Sequence, residues 1–267
     1  MNEVNKIIAK KKSSKKASIH LSVVIPAYNE EKRIGDTLLD LDKYLTDQDY
    51  SYEILVVVDG ATDKTTEVVN GYKKLVKNLK VIDNQENHGK GYVVRQGMLE
   101  AEGKYRLFMD ADGSTSIDHI EKMWPLVEQG KKVIITSRDP KDAKGASQDV
   151  KQSLSKRILG NVGNILIQVF GVWGIWDTQN GFKLFEAGAA EKIFSRARID
   201  RWGFDIEALA LARKFGYEIS IVPAHWINDP NSHVTLGGYI NTFVELFKIR
   251  LNLIRGVYEN SKKNQKE

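Results

Sequence analysis

The chain of 267 residues contains no cysteine. Neither a disulfide framework nor a thiolate metal site is therefore available, and a metal ion can be held only by oxygen or imidazole ligands. The five histidines are scattered along the chain, and the sequence shows no nucleophile–base arrangement. The chain also has no G-x-x-x-x-G-K-S/T motif and no strand–GxGxxG–helix unit, so P-loop and dinucleotide-binding functions lose their usual support.

An excess of basic charge is missing from most of the chain as well. The net charge is +5, and residues 1–18 carry six of the 40 Lys and Arg residues but only one of the 35 acidic residues. The rest of the chain has 34 residues of each sign, so we expect no nucleic-acid partner for the folded part. We predict a disordered basic tail at residues 1–18, which is either a solubilising end or a segment attracted to anionic lipid.

What the chain does contain is a regular alternation of short apolar runs with helical patterns. We predict buried strands at Leu21–Ala27, Glu53–Val58, Leu79–Asp83, Tyr105–Met109 and Lys132–Thr136. Asn29 is expected to cap the first intervening helix, and Thr62 or Asp63 the second. A third helix is predicted at His88–Glu102. Strands that alternate with helices indicate an α/β fold, with a mostly parallel sheet and helices on both faces.

Polar residues follow the ends of four predicted strands. They are Tyr28, Asn29, Glu30, Asp59, Asp110, Asp112, Ser137 and Arg138. Ligands of parallel α/β sheets bind beyond the carboxyl ends of the strands, so these residues predict a binding site at one edge of the sheet.

Two carboxylates one residue apart, Asp110 and Asp112, end the predicted strand YRLFM. Magnesium is commonly bound in proteins by one or two carboxylates together with phosphate oxygens of the substrate. We therefore predict that Asp110 and Asp112 hold Mg²⁺ or Mn²⁺, which would stabilise a leaving nucleoside diphosphate. The alternative is a solvated turn without a metal.

Three further residues could contact a nucleotide. The Asp59 carboxylate could accept from a base imide or a ribose hydroxyl, or it could belong to a helix-capping turn. Lys90 and Arg95 lie at the start of a predicted helix and could counter phosphate charge, with the help of the helix dipole. They could also be ordinary surface cations.

Two late segments are apolar. Residues 158–176 contain no charged residue, which permits a buried core helix, a helix at a membrane interface or a membrane span. At Tyr239–Tyr258, apolar residues recur every three or four positions among basic ones, as in an amphipathic helix. Two such segments favour contact with a membrane surface, and we predict interfacial helices at both.

The chain resembles a known family through motifs that occur in order: VVIPAYNEE, VVVDGATDKT, NHGKGYVVRQG and FMDADGST. These motifs are similar to those of family 2 glycosyltransferases with the GT-A (Rossmann-like) fold. Ser137-Arg138, DTQNGFKLF at Asp177–Phe185 and RWGFDIEAL at Arg201–Leu209 are similar to the dolichyl-phosphate β-glucosyltransferase branch, close to the dolichyl-phosphate mannosyltransferases. The resemblance extends over residues 20–225.

The resemblance implies transfer of glucose from UDP-glucose to a polyprenyl (dolichyl-type) phosphate, with inversion at the anomeric carbon. It implies that the donor is bound by Pro26, Ala27, Tyr28, Glu30, Asp59, Lys90, Arg95, Asp110, Ala111 and Asp112. Ser137, Arg138 and Lys183 are expected at the acceptor phosphate. The residues expected at the reacting centre are Asp112, Arg138, Gln179, Arg201 and Asp205.

The implied acceptor also bears on the mechanism. A lipid phosphate is already anionic at pH 7, so we predict catalysis by cations that hold two negatively charged reactants in line. Arg138 and Arg201, with Lys183 a weaker candidate, are expected to matter more than any general base.

Two departures from the family pattern affect these expectations. Val58-Asp59 stands where the family usually has two aspartates, which leaves one carboxylate for base recognition. The N-terminal membrane anchor that is common in the eukaryotic glucosyltransferases is not seen in this sequence. This points to a prokaryotic or peripheral version, held at the cytoplasmic face of a membrane by the basic tail and the apolar helices.

We predict three parts of the chain: the tail at 1–18, a GT-A catalytic domain at 19–230, and an amphipathic C-terminal helix and tail at 231–267. Alternative functions left open are transfer of mannose from GDP-mannose, transfer to a saccharide, and a basic-tailed module that binds a membrane or nucleic acid without catalysis. Assembly into a homo-oligomer is also left open.

Overall fold

The structure, a computed structural model, describes residues 19–149, 163–227 and 236–259. The predicted basic tail at 1–18 lies outside the described residues, as do positions 158–162 of the first apolar segment and the end of the predicted C-terminal tail.

Within the described residues, seven strands form one sheet. They are β1 (Leu21–Ala27), β2 (Tyr52–Asp59), β3 (Leu79–Asn84), β4 (Tyr105–Met109), β5 (Val133–Ser137), β7 (Phe182–Glu186) and β8 (Ile219–Pro223). Their order is β3-β2-β1-β4-β7-β5-β8, and β7 runs antiparallel to both of its neighbours while the other pairs are parallel. Two short strands, β6 (Ser147–Asp149) and β9 (His225–Ile227), pair separately.

Helices connect these strands. They are α1 (Ile34–Thr46), α2 (Thr65–Tyr72), α3 (Lys90–Glu100), α4 (Trp124–Glu128), α5 (residues 163–170), α6 (Ala187–Phe194), α7 (Phe204–Lys214) and α8 (Leu236–Ile254). A 3-10 helix at Ile117–Lys122 precedes α4.

Both faces of the sheet are covered, because successive side chains of a strand point to opposite faces. Val24 and Leu55 belong to a core that also contains residues of α3, α6 and α7. Val23 and Ile54 belong to a second core that also contains residues of α1 and α2. The predicted α/β architecture, with a mostly parallel sheet and helices on both faces, is confirmed.

The predicted helix caps are partly wrong. Asn29 has a left-handed backbone (φ +56°) and α1 begins only at Ile34, so Asn29 does not cap it. The Asn29 side chain instead accepts from the backbone N–H of Thr62, at 2.8 Å. Lys64 occupies the N-cap position of α2, so Thr62 does not cap this helix. Asp63 does serve the second helix, since its Oδ1 accepts from the N–H of Thr65, the first residue of α2.

The late apolar segments lie side by side. The rings of Phe170 on α5 and Phe247 on α8 are 4.9 Å apart, whereas Val172 and Ile175, just after α5, are buried in the core. A set of side chains on and after these helices remains exposed, and we call it the apolar surface: Ile165, Val169, Trp173, Val244, Phe247, Leu251 and Ile254. In the part of the chain that the structure describes, no helix combines the length and the apolar character needed to cross a membrane.

Candidate active site

Asp110, the first residue after β4, meets the start of α3. Its Oδ1 lies 2.6 Å from Nζ of Lys90, and both side chains are half-buried. Gly181, just before β7, accepts from the Asp110 backbone N–H at 3.0 Å. A Cβ atom at position 181 would collide with the Asp110 carboxylate, so the close approach of β7 requires glycine there.

The segment from Asp110 to Asp112 is held by hydrogen bonds on both sides. The Thr37 hydroxyl of α1 donates to the Ala111 carbonyl at 2.7 Å. The Ser114 backbone N–H donates to Asp112 Oδ1 at 3.0 Å, and Gly113 between them has a positive φ of 65°. Asp112 therefore offers its second carboxylate oxygen from a fixed turn at the edge of the sheet.

A second ion pair is buried next to the first. Lys183 Nζ on β7 donates to Asp205 Oδ1 on α7 and to the Asn180 carbonyl, both at 2.6 Å. Both lysines lie near the Phe108 ring, whose centroid is 5.6 Å from Lys90 Nζ and 5.7 Å from Lys183 Nζ. We call Lys90, Asp110, Lys183 and Asp205 the ion-pair cluster.

The cluster is electrostatically coupled. Burial raises the pKa of Asp205 above its ordinary value, although Lys183 and Lys90 act to lower it. Burial alone would lower the pKa of Lys90, but the nearby carboxylates, above all that of Asp110, hold it above its ordinary value. Lys90 therefore remains charged beside Asp110, and the cluster brings two lysines and two carboxylates into one compact array.

Arg138, which follows β5, lies at the border of this array. Its Nε and Nη2 donate to the two oxygens of Asp177, each at 2.8 Å, and its backbone N–H donates to Asp177 as well. Burial would raise the pKa of Asp177, but Arg138 holds it below its ordinary value. Trp226 of β9 covers the guanidinium, with 5.2 Å between Arg138 Cζ and the ring centroid.

Several residues predicted for the site lie elsewhere in it or face away. Ser137 is fully buried, and its hydroxyl donates to Asp142 at 2.8 Å. Asp142 in turn accepts from the backbone N–H groups of Trp176 and Asp177. Ser137 thus holds the loop that carries Arg138, and its contact with the acceptor phosphate stays a prediction.

Asp59 is also committed within the chain. Its carboxylate accepts from the backbone N–H groups of His88 and Gly89 at 2.8 and 2.9 Å, and from the Asn87 side chain at 3.0 Å. It is 2% exposed. This matches the alternative of a turn that organises the start of a helix, because α3 begins at Lys90, directly after Gly89. Contact between Asp59 and a base stays a prediction.

Arg95 was expected on the nucleotide side with Lys90. It lies five residues further along α3, which rotates it by about 140° around the helix axis. Its Nη2 pairs with Asp200 at 2.7 Å instead, and its guanidinium lies 5.2 Å from the Tyr92 ring centroid. Arg95 is thus tied to the loop before α7, and its contact with the donor stays a prediction.

The remaining predicted residues line the sheet edge to different degrees. Pro26 and Ala27 are buried in β1, while Tyr28 is 44% exposed. Glu30 pairs with Arg33 at 2.6 Å. Gln179 and Arg201 are exposed.

Arg201 lies on the rim of the cluster. A Cβ at Gly89, whose φ is +102°, would come within 2.9 Å of Arg201 Cγ, so the Arg201 side chain passes directly over the residue before Lys90.

Sequence reasoning missed Asp177, Asn180 and Gly181. The Asn180 side chain donates to Thr136 at 2.6 Å and accepts from Thr115 at 3.2 Å, which links the ends of β4, β5 and β7. All three lie in the run DTQNGFKLF, in which the resemblance implied roles for Gln179 and Lys183 only. Nothing in the sequence pointed to Trp226.

The acidic residues fit a divalent ion only in part. No group of three or more His, Asp or Glu side chains able to hold a metal occurs among residues 19–149, 163–227 and 236–259. Asp110 and Asp112 supply two hard carboxylates, and Asp110 is already paired with Lys90. This donor set suits an ion that takes its other ligands from a diphosphate and water.

Comparison with known proteins gives consistent results. The family described as glycosyl transferase family 2 matches residues 22–194. A dolichyl-phosphate beta-glucosyltransferase of Trichomonas vaginalis is 36% identical over 245 residues, covering 88% of this chain and 74% of the relative. The enzyme of the same name from Saccharomyces cerevisiae is 35% identical over 264 residues, covering 92% of this chain and 78% of the relative.

Among solved structures, glucosyl-3-phosphoglycerate synthase from Mycobacterium tuberculosis, in complex with Mn²⁺, UDP and glucosyl-3-phosphoglycerate, is similar with a TM-score of 0.60. It is 17% identical, and the match covers 93% of this chain and 83% of that one. At this identity the likeness concerns the fold, and the predicted GT-A fold is confirmed.

Proposed function

The chain belongs to glycosyl transferase family 2, and we propose that it transfers glucose from UDP-glucose to a polyprenyl phosphate of the dolichyl type, with inversion. The names of its relatives in Trichomonas vaginalis and Saccharomyces cerevisiae support glucose and dolichyl phosphate as the two reactants. The observation that carries the proposal within the structure is that the acidic end of β4 lies at the sheet edge where three cations, Lys90, Arg138 and Lys183, are each held by a carboxylate.

The transfer forms a bond between an acceptor phosphate oxygen and the anomeric carbon. The bond from that carbon to the β-phosphate of UDP breaks, and UDP leaves with the electron pair. A phosphate monoester has a second pKa of about 6, so the acceptor is an anion at neutral pH and no general base is required. The task of the protein is to bring two anions together in line.

Arg138 is suited to bind the acceptor phosphate. Asp177 takes one N–H from Nε and one from Nη2 and fixes the plane of the guanidinium, so the Nη1 side is presented to a phosphate. Lys183 and Lys90 supply further positive charge from fixed positions. Arg201, on the rim, is placed to close over the reactants.

Asp205 holds Lys183 in place. Its carboxylate accepts from Lys183 inside the protein, so it acts as a positioning residue in this scheme. Asp112, with Asp110, would hold Mg²⁺ or Mn²⁺ at the diphosphate. The ion, when bound, would neutralise negative charge on the leaving UDP.

The apolar surface supports a lipid-bearing acceptor. Lys248 and Arg250 are exposed on α8 next to Phe247 and Leu251. Apolar side chains flanked by basic ones favour the interface of a membrane with anionic headgroups. We propose that this surface attaches the protein peripherally to the cytoplasmic face of a membrane.

The test is transfer of label from UDP-glucose and, separately, from GDP-mannose to a short polyprenyl phosphate. We expect a lipid-linked product from UDP-glucose that is lost with EDTA and in Asp112→Ala, and retained in the control Asp36→Ala, which changes an exposed aspartate on α1. Product from GDP-mannose alone would overturn the glucosyl assignment. Product that persists in EDTA would overturn the role of the metal.

A further inference from the structure

Residues 195–203 connect α6 with α7. The segment 198–204, which we call the 198–204 loop, runs from this connection into the first residue of α7 and packs on the start of α3. The carbonyl of Asp200 accepts from the Tyr92 backbone N–H at 3.0 Å. The Trp202 ring centroid lies 5.5 Å from Lys90 Nζ. Asp205 of the ion-pair cluster follows the loop immediately, so the position of the loop affects both lysine–carboxylate pairs.

The side chain of Glu245 on α8 is hydrogen-bonded to this loop. Glu245 is the single acidic residue in the sequence of α8, and its Oε2 accepts from the Gly203 backbone N–H at 2.8 Å. A Cβ at position 203 would lie 3.0 Å from Glu245 Cβ, closer than such atoms normally pack. Glycine at 203 therefore allows α8 to lie directly against the loop.

A second contact ties the other end of the loop to the C-terminal segment. Glu207 of α7 accepts from the backbone N–H groups of Arg198 and Ile199, at 2.9 Å each. The hydroxyl of Tyr258, which is 1% exposed, donates to the same carboxylate at 2.7 Å. Near one end, the loop is therefore bonded to Glu207, which also binds Tyr258 of the C-terminal segment. Near the other end, it is bonded to Glu245 of α8.

The exposed apolar residues of α8 lie on a different side from Glu245. Val244, Phe247, Leu251 and Ile254 recur at intervals of three or four residues and form one face, whereas Glu245 lies on the flank of the buried side. Helix α8 therefore carries part of the apolar surface on one side and, on another, the contact with the loop that leads to Asp205.

We propose that Glu245 is a positioning residue, which fixes the 198–204 loop to α8 and so sets the apolar surface and the ion-pair cluster in one geometry. This rests on the proposed function. An acceptor embedded in a bilayer presents its phosphate at a fixed height above the surface on which α8 lies. The phosphate of an acceptor that is free in water has no fixed height. Transfer to the embedded acceptor alone therefore requires a fixed position of the loop relative to α8.

The first experiment compares transfer to a polyprenyl phosphate in phosphatidylcholine–phosphatidylserine vesicles with transfer to a water-soluble short-chain polyprenyl phosphate. For Glu245→Ala we expect kcat/KM with the vesicle acceptor to fall about tenfold, as for a lost hydrogen bond to a charged group, and with the soluble acceptor about twofold or less. Glu245→Gln, which keeps a carbonyl acceptor, should recover most of the loss. The matched control is Glu259→Ala, which removes an acid that pairs with Lys214 at 2.8 Å and lies outside the loop.

An equal fall with both acceptors, or a failure of Glu245→Gln to rescue, would overturn the proposal in favour of a purely structural role. The second experiment needs no transfer activity. Hydrogen exchange of the peptide that contains residues 198–204 should be about tenfold faster in Glu245→Ala than in wild type, and unchanged in Glu259→Ala. If exchange responds in this way but wild type forms no lipid product, the proposed function fails and the contact stands. If exchange does not respond, the proposal about Glu245 fails on its own.

Discussion

Replacing Lys183 with methionine would remove the cation that pairs with a buried carboxylate. Lys183 and Asp205 lie 2.6 Å apart, and their side chains are 2% and 6% exposed. Loss of one partner from a buried ion pair typically destabilises a protein by about 3–5 kcal/mol, because the other charge stays buried without compensation. Lys90 also stabilises the Asp205 charge, so we expect a loss of about 3 kcal/mol at neutral pH.

The loss should depend on pH. Burial raises the pKa of Asp205, and Lys183 is the largest of the groups that lower it, so the pKa should rise further in the variant. A carboxyl group whose pKa is higher in the folded than in the unfolded state binds more protons when folded. Its contribution to stability therefore falls as pH rises through the folded-state pKa. The difference between variant and wild type should be larger at about pH 8 than at about pH 5.5.

Urea unfolding at both pH values measures this difference. The control is the double variant Lys183→Met with Asp205→Asn, which carries no charge at either position and should recover most of the stability. A loss below about 1 kcal/mol in the single variant would refute the reasoning. So would a double variant as unstable as the single one, because the loss would then come from packing.

Three further predictions concern the site. Gly181→Ala places a Cβ against the Asp110 carboxylate, and we expect kcat to fall about 100-fold. The control Gly188→Ala, in which the nearest contact of the new Cβ is 3.2 Å, should keep kcat near that of wild type. Normal activity of Gly181→Ala would contradict the close packing of Gly181 on Asp110. Arg138→Lys loses the bidentate contact with Asp177. The KM for the lipid phosphate should then rise about tenfold, while the KM for UDP-glucose stays unchanged. An equal rise in both KM values would indicate that Arg138 binds the donor. Asp205→Asn should retain measurable transfer to polyprenyl phosphate, and complete loss of chemistry with both substrates still bound would contradict the base-free mechanism.

Local sequence patterns predicted the strands well. The bounds of β1 and β4 agree with the predicted runs Leu21–Ala27 and Tyr105–Met109, because a buried strand between turn residues has a clear local composition. The antiparallel β7 was not predicted, since its place between β4 and β5 depends on pairings with residues far away in the chain. The run FKLF alone does not indicate a neighbour.

Side-chain partners were harder to predict than positions. The sequence placed Asp59 and Ser137 at the ends of strands and Arg95 on a helix, and they lie there. Asp59 bonds to a loop about 30 residues further along, and Arg95 pairs with Asp200 at a separation of 105 residues. Such contacts are set by tertiary packing, and no local pattern encodes them.

The same difference between local patterns and tertiary contacts applies to the metal-binding aspartates and to the lysines that pair with carboxylates. The pair Asp110 and Asp112 was recognisable from spacing alone. The pairing of Asp110 with Lys90 depends on where α3 begins relative to β4. The burial of Lys183 beside Asp205 depends on β7 and α7 together, so the resemblance suggested both residues without indicating that they pair.

The most direct test of the central claim is to identify the product formed from UDP-glucose and a short polyprenyl phosphate, with the matching polyprenol and a free saccharide as competing acceptors. We predict that glucose is found only on the phosphate, and that the coupling constants of the anomeric proton show a β linkage. An α linkage would contradict inversion. Glucose on the saccharide or the polyprenol, with none on the phosphate, would contradict the assignment of an anionic lipid acceptor and the cation-based mechanism that follows from it.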